Sequence, residues 1–138
     1  MKTQIIRNVS VALLAAASVF AQGSQKLMVR IPFGFHMGDS ILPAGQYTVD
    51  APSHTVLRFR SEDFKSTTMI LTHAVERVSS PHNPSQGRLI FNKYGDKYFL
   101  SQVWNPGSNS GRALLRTKRE VEAAADLNRG TESILASK

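Results

Sequence analysis

Cysteine is absent from this 138-residue chain, tryptophan occurs once, and long apolar runs are few. Without cysteine the protein can form no disulfide and no thiolate metal site, and it cannot carry a lipid anchor on a cysteine. The main apolar stretch covers about 12 residues, 9–20, whereas a helix that crosses a bilayer needs about 20. We therefore expect no membrane span in the mature protein.

The position of this apolar stretch indicates export. Lys2 and Arg7 form a basic segment before it, and Val19-Phe20-Ala21 is acceptable before a cut at Gln22. Residues 1–21 are therefore predicted to be a cleaved signal peptide. The mature protein is expected to be periplasmic, attached to an outer surface or extracellular.

Basic residues outnumber acidic ones. Removing the signal peptide lowers the formal net charge only from +7 to +5, because Lys2 and Arg7 leave without any acid. Nucleic acid is not an expected partner after export, whereas anionic polymers and glycans of the envelope are. The charges are scattered rather than blocked, so general solubility is the alternative explanation.

Alternating apolar and polar residues predict a mainly β domain over 22–130. We expect a small antiparallel β-sandwich or partly open barrel of about six strands. Pro32 places the first strand at an edge or bulge. The fourth is apolar on both faces, as a central strand would be, and is long enough to bend across two sheets. The predicted strands are 27–37, 46–50, 54–60, 67–78, 88–93 and 97–104, with a hairpin turn at Tyr94-Gly95-Asp96 and a loop at 79–86.

The C-terminal part is predicted to be helical. Thr117-Lys118-Arg119-Glu120 has the form of a capping box that opens a helix over 118–128, and Gly130 is placed to end it. Residues 131–138 are expected to form a flexible tail.

No residues form a persuasive catalytic or metal-binding pattern. His36, His54, His73 and His82 lack the close spacing of zinc ligands, and His36 with Asp39 is the nearest local acid–base pair. No serine lies in a Gly-x-Ser-x-Gly motif. We expect no metal, no cofactor and no catalytic residue.

Aromatic residues gather near the second half of the predicted hairpin, with arginines just beyond. Rings that stack on sugars and guanidinium groups that bind anions would form a ligand surface. Alternation places Tyr98, Leu100 and Trp104 on one face and Phe99 and Val103 on the other, which is equally the pattern of a buried strand. The ligand-binding candidates are Tyr94, Tyr98, Trp104 and Arg112, with a core role as the alternative.

Three segments resemble a group of small exported bacterial proteins of unknown function. They are Val29-Arg30-Ile31-Pro32-Phe33-Gly34-Phe35, Leu42-Pro43-Ala44-Gly45-Gln46-Tyr47 and Tyr98-Phe99-Leu100-Ser101-Gln102-Val103-Trp104. The resemblance implies export and a β fold, and it carries over no functional residue.

The sequence thus predicts an exported, non-enzymatic protein with a structural or interaction role, whose partner class is an anionic polymer or glycan. One alternative is a small enzyme or accessory subunit whose histidines converge in the fold. Another is an assembly or adhesion subunit that pairs through an exposed strand edge. The oligomeric state is left open.

Overall fold

The computed structural model describes residues 25–76, 86–126 and 129–136, with the backbone alone at 129–132. The predicted signal peptide, His82 and most of the predicted loop at 79–86 lie outside these ranges. Within them, no helix is long and apolar enough to cross a bilayer.

The protein is mainly β, as predicted, but the described residues form ten strands rather than about six. The first predicted strand is divided at Pro32, and strands at 40–42, 110–114 and 129–135 were not expected. The strands are β1 (Leu27–Ile31), β2 (Phe35–Met37), β3 (Ser40–Leu42), β4 (Gly45–Ser53), β5 (Val56–Ser61), β6 (Thr67–Glu76), β7 (Arg88–Tyr94), β8 (Lys97–Trp104), β9 (Ser110–Leu114) and β10 (Arg129–Leu135), with helix α1 (Lys118–Asp126) before β10.

The strands form one continuous, largely antiparallel sheet that does not close into a barrel. Its main path runs β1-β4-β5-β6-β9-β8, after which β7 and β10 follow on the far edge of β8. The β2–β3 hairpin joins β8 through one parallel bridge, His36 to Phe99. Cα atoms of β1 and β10 approach within 8 Å, yet no ladder joins these strands.

Strand β6 connects the two halves of the sheet, as its predicted length suggested. Its first half, from Thr67 to Leu71, pairs with β5, and its second half, from Thr72 to Glu76, pairs with β9. The expectation that both faces are buried is wrong, because Met69 and Leu71 are exposed while Thr72 is buried. A strand in the middle of the sheet can therefore have one face exposed to solvent.

The main core lies on one face of the sheet. Alternate residues of β1, β4 and β5 enter it, as the period of two predicted. Burial of these side chains is the main stabilising contribution to the fold. The largest side chains that are fully buried in it include Phe35, Phe59, Phe91, Ile31, Met37, Leu57 and Leu89.

The β7–β8 hairpin is confirmed, and its turn is Gly95-Asp96, where Gly95 has a φ of 63°. A register shift lies between Ile90, which pairs with Gln102, and Phe91, which pairs with Leu100. The extra residue returns Val103 to the core beside Leu100 and turns Trp104 to the opposite face. The predicted sharing of one face by Tyr98, Leu100 and Trp104 is therefore wrong beyond the bulge.

The C-terminal segment departs from its predicted flexible tail. Helix α1 begins at Lys118 as predicted and is described to Asp126. Strand β10 then pairs with β7 from Arg129 to Leu135, and the Ala136 amide donates to the Gly87 carbonyl at 2.8 Å. Backbone pairing along the free edge of β7 orders a segment whose composition alone gave no strand signal.

Candidate functional site

Tyr94 lies in the interior rather than on a binding surface. Its side chain is fully buried and packs edge to face against Phe99 beneath helix α1. Its hydroxyl donates to Oε1 of Glu120 at 3.2 Å and accepts from Arg116 at 3.0 Å. These contacts fit the alternative core role.

Trp104 and Arg112 are also engaged within the fold. Nε1 of Trp104 donates to Oε1 of Gln102 at 2.9 Å, and the ring fills the space beside Gly111, where a Cβ would meet it at 2.7 Å. The Arg112 guanidinium donates to the backbone carbonyl of His54. Trp104 is buried, and its ring therefore has little surface to offer a sugar.

Tyr98 is the predicted ligand-binding residue whose surroundings suit that role. Its half-buried ring stacks on Phe33, with centroids 3.7 Å apart and planes 13° from parallel. Nζ of Lys93 lies 5.3 Å from the Tyr98 ring centroid. The structure does not bring Tyr94, Tyr98, Trp104 and Arg112 into one surface, and their binding role stays a prediction.

A buried polar cluster beneath helix α1 was not anticipated. Oε1 of Glu120 accepts a hydrogen bond from the Asn92 amide at 2.9 Å, in addition to the one from Tyr94, and lies 3.7 Å from Nε of Arg116. The Glu120 amide donates to the Thr117 hydroxyl at 3.2 Å, which confirms Thr117 as the helix cap. The capping-box pattern drew attention to Glu120, but its carboxylate binds side chains of strand β7 and not the backbone at the start of the helix.

The histidines do not converge among the described residues. His36 stacks on Phe99 at a centroid distance of 4.3 Å, and its pKa is lowered by burial and by the nearby charges of Arg119 and Lys97. No hydrogen bond in the described ranges joins His36, His54 or His73 to each other or to Asp39. Those ranges also hold no group of three metal-ligating residues.

A shallow depression of about 380 Å³ lies between the β3–β4 turn and the β5–β6 turn. Tyr47 lines it, and the Tyr47 hydroxyl donates to the Pro43 carbonyl. Burial, and secondarily the charge of Asp63, raises the pKa of Tyr47. Two carboxylates, Glu62 and Asp63, line the depression with Tyr47, and no histidine does.

A broad solvent-facing surface covers β1, β4, β5 and the first half of β6. Cross-strand partners share a face, and successive residues alternate between faces. The ladders therefore set Met28, Thr48, Arg60 and Thr67 in one row, none of them buried. We call this surface the open face and define it by Met28, Arg30, Thr48, Asp50, Val56, Arg58, Arg60, Thr67, Met69 and Leu71.

The open face is electropositive. Arg58 forms a two-pronged salt bridge with Asp50, donating from both Nε and its terminal nitrogen. That hydrogen bonding lowers the pKa of Asp50, and the charges of Arg60 and Lys26 lower it further. Arg30 and Arg60 form no salt bridge within the part of the chain that the structure describes. Exposed Glu62 borders Gln46, the cross-strand neighbour of Arg30, yet neither arginine has a carboxylate within 4.0 Å among these residues.

Apolar side chains lie among these charges. On β6, Met69 is 57% exposed and Leu71 is 65% exposed, and their cross-strand partners are Arg58 and Val56. At the end of the same hairpin, Phe64 is 73% exposed and has a φ of 56°. Such a φ is rare for a bulky residue, and here hydrogen bonds among Ser61, Asp63 and Ser66 hold the turn.

Comparison with protein-family models, with curated proteins and with solved structures gave no match to this chain.

Proposed function

We propose that this chain is an exported, non-enzymatic binding protein that engages an anionic component of the cell envelope through its open face. The N-terminal basic and apolar segments support export. The absence of converging histidines among the described residues gives the alternative of a small enzyme no support.

The observation that carries the proposal is the pair of arginines, Arg30 and Arg60, on an uncovered sheet face. Arg30 faces solvent beside Gln46, and Arg60 lies next to Thr48 and Thr67. Guanidinium groups bind carboxylate and phosphate oxygens in a forked geometry, so unpaired arginines on a flat surface suit a polyanion.

A neutral glycan is the second candidate ligand. The stacked pair Phe33 and Tyr98 is partly exposed, and sugars bind proteins through such rings. Lys93 beside Tyr98 would add a hydrogen-bond donor to that contact.

Co-sedimentation with the producing organism's insoluble envelope fraction tests both candidates. The full chain is expressed in a bacterial host, and the processed protein is purified from its envelope extract. Binding to a polyanion should fall steeply with salt, whereas binding to a neutral glycan should resist salt and be competed by soluble sugar.

Matched variants test whether the open face is the surface that binds the ligand. Arg30→Gln with Arg60→Gln should weaken salt-sensitive binding, and Lys118→Gln with Arg119→Gln, two exposed charges on helix α1, should weaken it far less. Absence of binding at every salt concentration would contradict the proposed function.

A separate measurement addresses assembly through a strand edge. Strand β3 pairs within the described residues only with β2, so one of its edges is open to such pairing. Light scattering that shows concentration-dependent oligomers would support assembly, and a strict monomer would oppose it.

A further inference from the structure

We infer that the ligand of the open face is an anionic lipid surface, onto which the sheet docks with Met69 and Leu71 at the interface. This inference rests on the proposed function, because it requires that the open face binds an anionic partner. It adds the partner's class, which charge alone does not specify.

The apolar side chains favour lipid over a hydrated polymer. Met69 and Leu71 are adjacent outward residues of one strand, and Val56 lies opposite Leu71. An apolar cluster of this kind gains nothing from a solvated polysaccharide, whereas the boundary between headgroups and acyl chains can bury it.

The charges oppose self-association. Two copies of this face would bring surfaces of the same net positive charge together, since Asp50 is already engaged by Arg58. Like charges brought together in this way would repel. Phosphate headgroups offer the opposite sign in a plane, which matches the layout of a sheet face.

The turn at the end of the hairpin adds a further apolar group. Phe64 is the most exposed large apolar residue of the described chain, and Lys65 follows it directly. Glu62 and Asp63 precede Phe64, so this turn contributes an aromatic ring to the membrane interface and no net positive charge.

The experiment compares sedimentation with two kinds of vesicle and with a soluble polyanion. One vesicle is phosphatidylcholine alone, the other is phosphatidylcholine with phosphatidylglycerol in equal parts, and the polyanion is dextran sulfate. The protein is the processed form from the expression host, so every variant carries the same N-terminus.

Two variants separate the apolar from the electrostatic contribution. Met69→Ser with Leu71→Ser should weaken binding to phosphatidylglycerol vesicles about tenfold and leave dextran sulfate binding unchanged. Arg60→Gln should weaken binding to both, by about fivefold for the vesicles. Val121→Ser is the matched control, because Val121 is 52% exposed on helix α1, which packs over Tyr94 and Phe99 and not on the strands of the open face.

Several outcomes would overturn the inference. They are absence of binding to phosphatidylglycerol vesicles, equal binding to phosphatidylcholine alone, or unchanged vesicle binding by the Met69/Leu71 double variant with its fold intact by thermal unfolding. If dextran sulfate still binds through Arg60, the proposed function stands while the lipid inference fails. If neither vesicles nor dextran sulfate bind, both fail.

Discussion

Glu120, on the first turn of helix α1, accepts a hydrogen bond at 2.9 Å from Asn92, which lies 28 residues earlier on strand β7. This bond joins the helix to the face of the β7–β8 hairpin opposite the main core, where Tyr94 and Phe99 pack against Ala123. The apolar contact is small, so the polar contact carries much of the docking energy.

Glu120→Ala should therefore destabilise the protein by about 2 kcal/mol, because Asn92 and Tyr94 would lose their buried acceptor. Chemical denaturation measures the change in the free energy of unfolding. Glu122→Ala is the control on the same helix: Glu122 is exposed, and its closest cation is Lys118 at 3.9 Å. Its effect should stay within about 0.5 kcal/mol, and equal effects of the two variants would contradict this role for Glu120.

The Asp50–Arg58 salt bridge should make stability depend on acid pH. Because the folded-state pKa of Asp50 is lowered, the stabilisation is fully present above the unfolded-state pKa, near 4, and is lost as the pH falls through the folded-state value. Denaturation midpoints measured from pH 7 downward should decline below about pH 4.

Asp50→Asn should flatten that decline and cost about 2 kcal/mol at neutral pH, because Arg58 would lose its charged acceptor. A decline as steep in Asp50→Asn as in the unaltered protein would assign the acid sensitivity to other groups. Asp63, whose pKa is also lowered, first by the Ser61 hydroxyl and then by the Lys65 amide, is the next group to replace.

Phe64→Gly should stabilise the fold by about 0.5 kcal/mol. Glycine adopts a φ of 56° without steric cost, and this gain exceeds the added entropy of the unfolded chain. Phe64→Ala is the control, since alanine keeps the strain and removes the ring. Thermal unfolding should show a higher midpoint for glycine than for alanine, and the reverse order would refute backbone strain at this turn.

Gly111→Ala should destabilise by about 2 kcal/mol, because the new methyl group would lie 2.7 Å from the Trp104 ring. Gly45→Ala, whose nearest neighbour is a Tyr47 ring carbon at 4.0 Å, is the control and should have little effect. Tryptophan fluorescence followed during unfolding gives the midpoint of each variant. An unchanged midpoint for Gly111→Ala would mean that the ring moves aside freely.

Sequence patterns predicted those parts of the fold that depend on local alternation. In the predicted strand 54–60, alternation puts Leu57 and Phe59 on one side, and both are buried; Gly95 lies in the hairpin turn predicted at Tyr94-Gly95-Asp96. Strands β9 and β10 were missed because glycine, serine and exposed positions weaken their alternation of apolar and polar residues. Hydrogen bonding to neighbouring strands stabilises them instead: β9 pairs with β6 and β8, and β10 pairs with β7.

The candidate site was harder to predict, for a related reason. The bulge beside Phe91 changes the face of Trp104, and nothing in the order of residues along β8 signals an extra residue. The exposure of Met69 and Leu71 likewise depends on which strands lie beside β6 and on what covers them. The apolar residues of a strand reveal which face is buried only when the elements that pack on each face are known.

Strand β6 belongs to both halves of the sheet, since its first five residues pair with β5 and its last five with β9. Neither half can detach without breaking hydrogen bonds along this one segment of backbone. The β4-β5-β6 portion forms from near neighbours in sequence, whereas the β6–β9 ladder must close a loop of more than thirty residues. The amides of β6 should accordingly exchange with solvent only when the whole domain opens, so that the sheet behaves as a single cooperative unit.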